Sequence, residues 1–197
     1  VSLDNPATLW AGVQWPPTYA DSILRSDDWG NTWTSDGYGL FGHVRSPILI
    51  DPMRHDMHYV ITQNISAWNN LERKVNGVWE RVHNAPLAVL IDLGAPRLGL
   101  ALQGDPHSLY VGGPAGTLWV SHNTYVPSVS DVTWELVAQF PDNYVSVPLA
   151  VGTGPDQDTI FVSVFQLSNN YGLTLRSDDS GSTWTALTIP APSAPER

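Results

Sequence analysis

A ten-residue phrase that occurs twice constrains this chain more than any other feature. Residues 25–34 read RSDDWGNTWT, and residues 176–185 read RSDDSGSTWT. Both fit S-x-D-x-G-x-T-W, first on Ser26, Asp28, Gly30, Thr32 and Trp33, then on Ser177, Asp179, Gly181, Thr183 and Trp184. The residue types predict a turn between two strands. A short carboxylate accepts hydrogen bonds from nearby backbone N–H groups and fixes the turn, with Ser and Thr hydroxyls completing the network. Glycine supplies backbone angles that strain other residues. The tryptophan is expected to open the next strand and to bury a large apolar surface. Asp28 and Asp179 therefore read first as turn staples.

The phrase anchors a longer repeat. Aligning on its tryptophan yields four units, about 1–36, 47–83, 98–138 and 148–189. Each has an apolar segment, a turn rich in Asp and Pro, two further strands, a second turn and a strand opened by Trp. In the second unit the phrase is worn down to Asn76-Gly77-Val78-Trp79. In the third, Ser121 and Asn123 are expected to keep its start and Thr133-Trp134 its end, around the insertion TYVPSVSD. The four tryptophans, Trp33, Trp79, Trp134 and Trp184, stand 46, 55 and 50 residues apart. A period near fifty with four short strands per unit predicts β-propeller blades. Apolar runs rich in β-branched and aromatic residues, bounded by Gly, Pro, Asn and Asp, support an all-β chain. No stretch reads as an amphipathic helix, and a β-sandwich is the architectural rival.

The phrase resembles the Asp-box (BNR) repeat of the sialidase-like β-propellers. That resemblance implies a single propeller-type domain over 1–190, built of four four-stranded antiparallel sheets, with 191–197 as a linker-like tail. Four blades are few for such proteins. The chain also starts near an innermost strand and ends near an outermost one, so no strand is left to lock the first blade to the last. Closed on itself, the chain is a four-bladed ring. Otherwise two copies form one ring, or the remaining blades lie on another polypeptide. The first residue is Val1, not Met, which reads as a processed product or an excised piece of a longer protein.

Composition excludes several functions. Net charge is −10, from 19 acidic residues against nine Lys and Arg. That argues against nucleic acid, whose phosphates need a basic face, and against an anionic membrane surface. No apolar run reaches membrane-spanning length. There is no cysteine, so neither disulfides nor thiolate zinc sites can form. DPMRHDMH carries Asp51, His55, Asp56 and His58, but its place in a between-strand turn explains these residues without a metal. No phosphate-cradling glycine loop is present, and no cofactor is expected. One glycosylation sequon, Asn64-Ile65-Ser66, is present.

Function is expected on the propeller end opposite the repeated turns. The loops predicted there bring Trp15, Tyr19, Tyr38, Phe41, His43, Arg45, Trp68, His83, Phe140, Tyr144 and Tyr171, beside Asn69, Asn70, Asn143, Asn169 and Asn170. Aromatic rings next to amides suit the face of a sugar, and equally suit anchors at a protein interface. They also suit packing beneath their own loops. Trp15, Tyr19, Tyr38, His43, Arg45, Trp68, Tyr144 and Tyr171 are the candidate binding residues. No catalytic residue is nominated. The resemblance implies sialidase activity only where three arginines, an acid and a Tyr–Glu pair are present. The nearest match to the family's F/Y-R-I-P phrase, Val44-Arg45-Ser46-Pro47, follows the first repeat instead of preceding it.

Other proteins with such repeats include xyloglucan-cleaving glycoside hydrolases, sortilin-type receptors and photosystem assembly factors. A glycoside hydrolase needs two carboxylates about 5–10 Å apart across a cleft. Asp21, Asp36, Asp92 and Asp142 are the loop-face candidates, and nothing in their spacing singles out a pair. Asp92 lies in the apolar run LIDLG, where burial would raise its pKa. The sequence favours a non-enzymatic scaffold or binding module with other protein chains as partners. A carbohydrate-active propeller fragment is the alternative, and an extracellular or cell-envelope location is expected.

Overall fold

The computed structural model describes residues 5, 7–13, 18–64, 69–87, 100–103, 107–141, 144–152, 154–166 and 172–187. They form four antiparallel sheets in chain order, connected without crossovers. The only helical elements among them are four short 3-10 turns. The first sheet holds β1 (Leu9–Gly12), β2 (Ile23–Ser26) and β3 (Thr34–Ser35). The segment expected to supply its innermost strand lies outside the described residues.

The second sheet holds β4 (His43–Val44), β5 (Leu49–Ile50), β6 (His58–Gln63), β7 (Asn69–Val75) and β8 (Val78–Val82). Here β4 and β5 both pair with β6, at Gln63 and Thr62 and at Tyr59 and His58. They are two pieces of one interrupted inner strand, so the sheet is four strands wide. The third sheet is β9 (Leu100–Gln103), β10 (Ser108–Gly112), β11 (Thr117–Ser121) and β12 (Glu135–Gln139). The fourth is β13 (Tyr144–Val151), β14 (Ile160–Gln166), β15 (Gly172–Ser177) and β16 (Thr185–Ala186). This is the all-β architecture of propeller blades.

Central strands of the second and third sheets are apolar on both faces because each of these sheets lies between two others. In β6, Tyr59 and Ile61 join the core shared with the third sheet, while Val60 joins the core shared with the first. Three hydrophobic clusters result. One joins sheets one and two around Ile23, Val60 and Trp79. A second joins sheets two and three around Ile61, Leu71, Leu109 and Val132. A third joins sheets three and four around Leu118, Tyr110, Ile160 and Val162. No such cluster among the described residues joins the first sheet to the fourth.

The two full copies of the phrase fold identically. Ser26 Oγ donates to Asp28 Oδ1 at 2.8 Å and accepts from the Gly30 N–H at 2.8 Å. Asp28 accepts from the Thr32 N–H at 2.8 Å and its hydroxyl at 2.7 Å. Ser177, Asp179, Gly181 and Thr183 repeat the set at 2.8, 2.8, 2.8 and 2.6 Å. The preceding carboxylates match too: Asp27 holds Arg25 and Thr8, and Asp178 holds Arg176 and Thr159.

In the third sheet Asn123 does the work of the aspartate, accepting from the Thr133 N–H across the insertion at 2.9 Å. The second sheet differs from expectation. Asn76 and Gly77 both adopt positive φ, 51° and 82°. This makes a two-residue hairpin turn, which Asn-Gly favours, at the Asn76-Gly77 position expected but in place of the longer turn of the phrase.

The four tryptophans are buried unequally. Trp79 is 1% exposed and caps the first sheet, donating its indole N–H to the Asp36 carbonyl at 2.7 Å. Trp134 packs on the core shared with the second sheet. Trp184 packs on the core shared with the third, edge-on to Phe140 at 5.5 Å. Each of these three covers the preceding sheet. Trp33 has no preceding sheet among the described residues and is 40% exposed, contrary to the deep burial expected of it.

Candidate functional site

The β1–β2, β3–β4 and β6–β7 connections emerge at one end of the sheets, opposite the repeated turns. There the first two sheets bring a polar and aromatic cluster together. Tyr19, in the 3-10 turn Tyr19–Ser22, sets its ring edge-on to His43 at 4.9 Å. Ser22 Oγ is 3.5 Å from His43 Nδ1. Burial, then the neighbouring Arg45, pushes the His43 pKa down, which keeps the ring neutral. His43 and Arg45 were expected on a loop. Instead His43 lies in β4, and the Arg45 N–H continues the ladder by donating to the Ile61 carbonyl at 2.8 Å.

Beside them Arg81 forms a node. It donates to His83 Nδ1 from Nε at 3.1 Å, sits 3.4 Å from Asn70 Oδ1, and stacks over Phe41 at 5.0 Å. Below lies Glu72, fully buried. Both its oxygens accept from the Phe41 N–H at 3.1 Å, and Thr62 donates its hydroxyl to one of them. Burial pushes the Glu72 carboxyl up to about 7, against the pull of these bonds. The raised pKa favours the protonated acid, and the group has no solvent access. Its chemistry is that of an internal acid whose charge is tied to the fit of the Phe41 loop.

The remaining candidates scatter. Tyr38 is 74% exposed, and its carbonyl accepts from the Trp79 N–H. Phe140 is buried against Trp184 and serves packing. Tyr144 lies in β13, paired with Gln166. Trp15, Trp68 and Tyr171 lie outside the described residues, as do Asp92 and Asp142.

The other two carboxylates are committed to structure. Asp21 accepts from Ser35 and Thr18, which hold its pKa low. Asp36 accepts from Trp10 Nε1 at 2.7 Å and pairs with Lys74 at 2.5 Å.

The opposite end holds two clefts between sheets. One, of about 340 Å³, is lined by Trp10, Arg25, His55, His58 and Lys74. Its Lys and Arg already have partners: Arg25 holds Asp27 and Lys74 holds Asp36. His58 stays neutral, pushed down to about 4 by burial and by Lys74. A cleft of about 430 Å³ between sheets three and four is lined by Tyr110, His122, Asp158 and Ser180.

Sequence reasoning missed one polar array. Asp51 Oδ2 accepts from His107 Nδ1 at 3.1 Å, His107 Nε2 is 2.5 Å from Thr124 Oγ1, and that hydroxyl donates to the Tyr59 hydroxyl at 2.9 Å. The order matches a nucleophilic triad. But Asp51, Thr124 and Tyr59 are wholly buried, so no substrate can reach the hydroxyl. The array ties the Asp51 turn to the next sheet. Burial raises the Asp51 carboxyl, but bonds from His107 and the Met53 and Arg54 N–H groups outweigh it and hold its pKa low. A partner 56 residues away leaves no local signal in the sequence. His55 and His58, from the same turn, meet the Pro52 and His55 carbonyls. Among the described residues no group of three potential metal ligands assembles.

No protein-family model and no curated protein matches the chain. Among solved structures it is similar to the GH74 xyloglucanase from Xanthomonas campestris. The TM-score is 0.59 at 18% identity, over 97% of this chain and 29% of that one. The chain thus spans less than a third of the enzyme's length, and a likeness at this identity is one of fold: the four sheets are propeller blades.

Proposed function

We propose that the chain is an arc of Asp-box β-propeller acting as a non-enzymatic scaffold or binding module within a larger assembly. The observation that carries this reading is the count of joints: among the described residues three hydrophobic clusters hold four sheets, which leaves Trp33 of the first sheet and Leu187 of the last exposed. Soluble proteins seldom leave such faces uncovered. The carboxylates accord with a structural role. Asp28 and Asp179 are saturated by turn bonds, and Glu72 is sealed. Partners are other protein chains, outside the cell or in its envelope. Native mass spectrometry together with a reducing-sugar assay tests the reading. An isolated monomer that hydrolyses a glycan overturns it.

A second reading rests on the exposed rings of Tyr38 and Phe41, the latter stacked with Arg81, which in turn reaches Asn70. These suit stacking and hydrogen bonding to a sugar, and the xyloglucanase likeness suggests xyloglucan as the first probe. Affinity electrophoresis through xyloglucan gels should then retard the protein, and Tyr38→Ala with Phe41→Ala should abolish the shift. Unretarded migration of the unmodified protein removes this reading.

A further inference from the structure

We propose that the open face of the first sheet receives the outermost strand of the fourth sheet of a second copy, with Leu187 of one copy seated on Gly30 and Trp33 of the other. This rests on the module reading above and names its partner.

The chain contains its own control. The same turn occurs with a neighbouring sheet, at Gly181, and without one, at Gly30. A Cβ on Gly181 would come within 2.3 Å of Val137 Cγ1, on β12 of the preceding sheet. Among the described residues, a Cβ on Gly30 would meet only Trp33 and Leu9 of its own sheet, at 3.5 and 3.6 Å. Gly181 is buried and Trp184 packs on Phe140, whereas Trp33 faces solvent.

The mating position also recurs. Val137 stands three residues after Trp134. The residue three after each of the first three tryptophans reaches the following sheet. Asp36 pairs with Lys74, Val82 joins the core shared with the third sheet, and Val137 meets Gly181. The fourth member of this series is Leu187. Its N–H donates to the Thr174 carbonyl at 2.8 Å, as the Asp36 N–H donates to the Ile23 carbonyl, so its backbone is set as in the first sheet. Its side chain is 37% exposed.

Among the described residues, one face thus lacks a Val137-like residue, and the other offers one without a receiver. The first face also carries Leu9, only partly buried, where the fourth sheet has the fully buried Ile160. Three internal joints specify what covers such a face, and the chain carries both halves of a fourth. The contact is head-to-tail, so two copies that close use it twice.

The absence of cysteine permits a direct test. Two single-cysteine proteins, Asn31→Cys and Leu187→Cys, are mixed and treated with a short bismaleimide, with sedimentation velocity run alongside on the unmodified protein. The expected result is a dimer, and cross-linking in the mixture but not in Asn31→Cys alone. Trp33→Ala and Leu187→Asp, each checked for folding by circular dichroism, should weaken the dimer about thirtyfold or more, as for a truncated interface anchor. Self-cross-linking of Asn31→Cys, or a dimer indifferent to both substitutions, overturns the proposal. A monomer whose Leu187→Cys thiol labels rapidly overturns the second copy as partner and leaves the module reading standing. A monomer whose thiol is protected means that one chain closes on itself, and overturns both.

Discussion

Asn123 Oδ1 accepts a hydrogen bond from the Thr133 N–H across ten residues, the bond that Asp28 accepts from Thr32 across four. The amide also does what a carboxylate cannot: its Nδ2 donates to the Asp131 carbonyl at 3.0 Å, pinning the inserted loop. Asn123→Asp should therefore destabilise the fold although it restores the repeat's consensus, by about 1–2 kcal/mol, the scale of a lost and then repulsive polar contact. Urea melts of the variant check this. Unchanged stability would mean the insertion does not depend on that donor.

The paired turns predict acid behaviour. Hydrogen bonds from the Thr32 hydroxyl and N–H hold the Asp28 carboxyl at about 2, and those from Thr183 do the same for Asp179. A folded-state pKa below the unfolded value contributes stability above the unfolded pKa, and that contribution is lost as pH falls through the folded one. Asp28→Asn with Asp179→Asn should flatten the stability profile between about pH 4 and pH 2. The stability difference from the unmodified protein should shrink towards the acid end of that window. Denaturant melts across it provide the measurement.

Glu72 has the opposite sign. Its folded pKa, raised by burial from 4.5 to about 7, lies above the unfolded value. Its contribution is present at acid pH and lost as pH rises from the unfolded value towards about 7. Glu72→Gln keeps an acceptor for Phe41 and cannot ionise. It should gain stability relative to the unmodified protein as pH rises from 5 to 8. A difference independent of pH would contradict this.

The two glycines separate backbone from packing. Both sit at positive φ, 87° at Gly30 and 94° at Gly181, so alanine carries a similar backbone penalty at each, about 1 kcal/mol. Only at Gly181 does the new methyl collide with Val137. Gly181→Ala should destabilise by about 1–3 kcal/mol more than Gly30→Ala, the scale of core overpacking. Thermal melts of both variants decide it.

Trp29 holds φ 61°, a left-handed conformation that a bulky side chain adopts at a cost, and its ring is mostly exposed. Trp29→Asn should raise stability by about 0.5–1 kcal/mol, because Asn tolerates this region. Calorimetry reads the change directly.

The repeat was legible in the sequence because its information is local. Ser26 to Trp33 hold one another over eight residues, and the same is true of Ser177 to Trp184. Even Asn123 declared its role by standing two residues after a serine. Asn76-Gly77 was legible too, as a hairpin signal, but alignment to the phrase hid it. What stayed hidden depends on neighbouring sheets. His43 pairs with Gln63 because the inner strand of the second sheet begins early, and no local pattern marks that start. Asp36, expected on the binding end, is claimed by Lys74 and Trp10. The burial of Trp33 was overstated because residue type reveals appetite for a neighbour, not whether one is there. The Glu72 cluster needed three segments, around Phe41, Thr62 and Arg81, to converge.

Because each joint binds only adjacent sheets, rigidity is unevenly shared along the chain. The second and third sheets are clamped from both sides, and their amide protons should exchange slowest. The outer pair, clamped from one side, should fray first, as in a stack whose end plates lack a weight. Such a stack can lengthen or shorten by whole plates through gene duplication or loss, with every remaining clamp untouched.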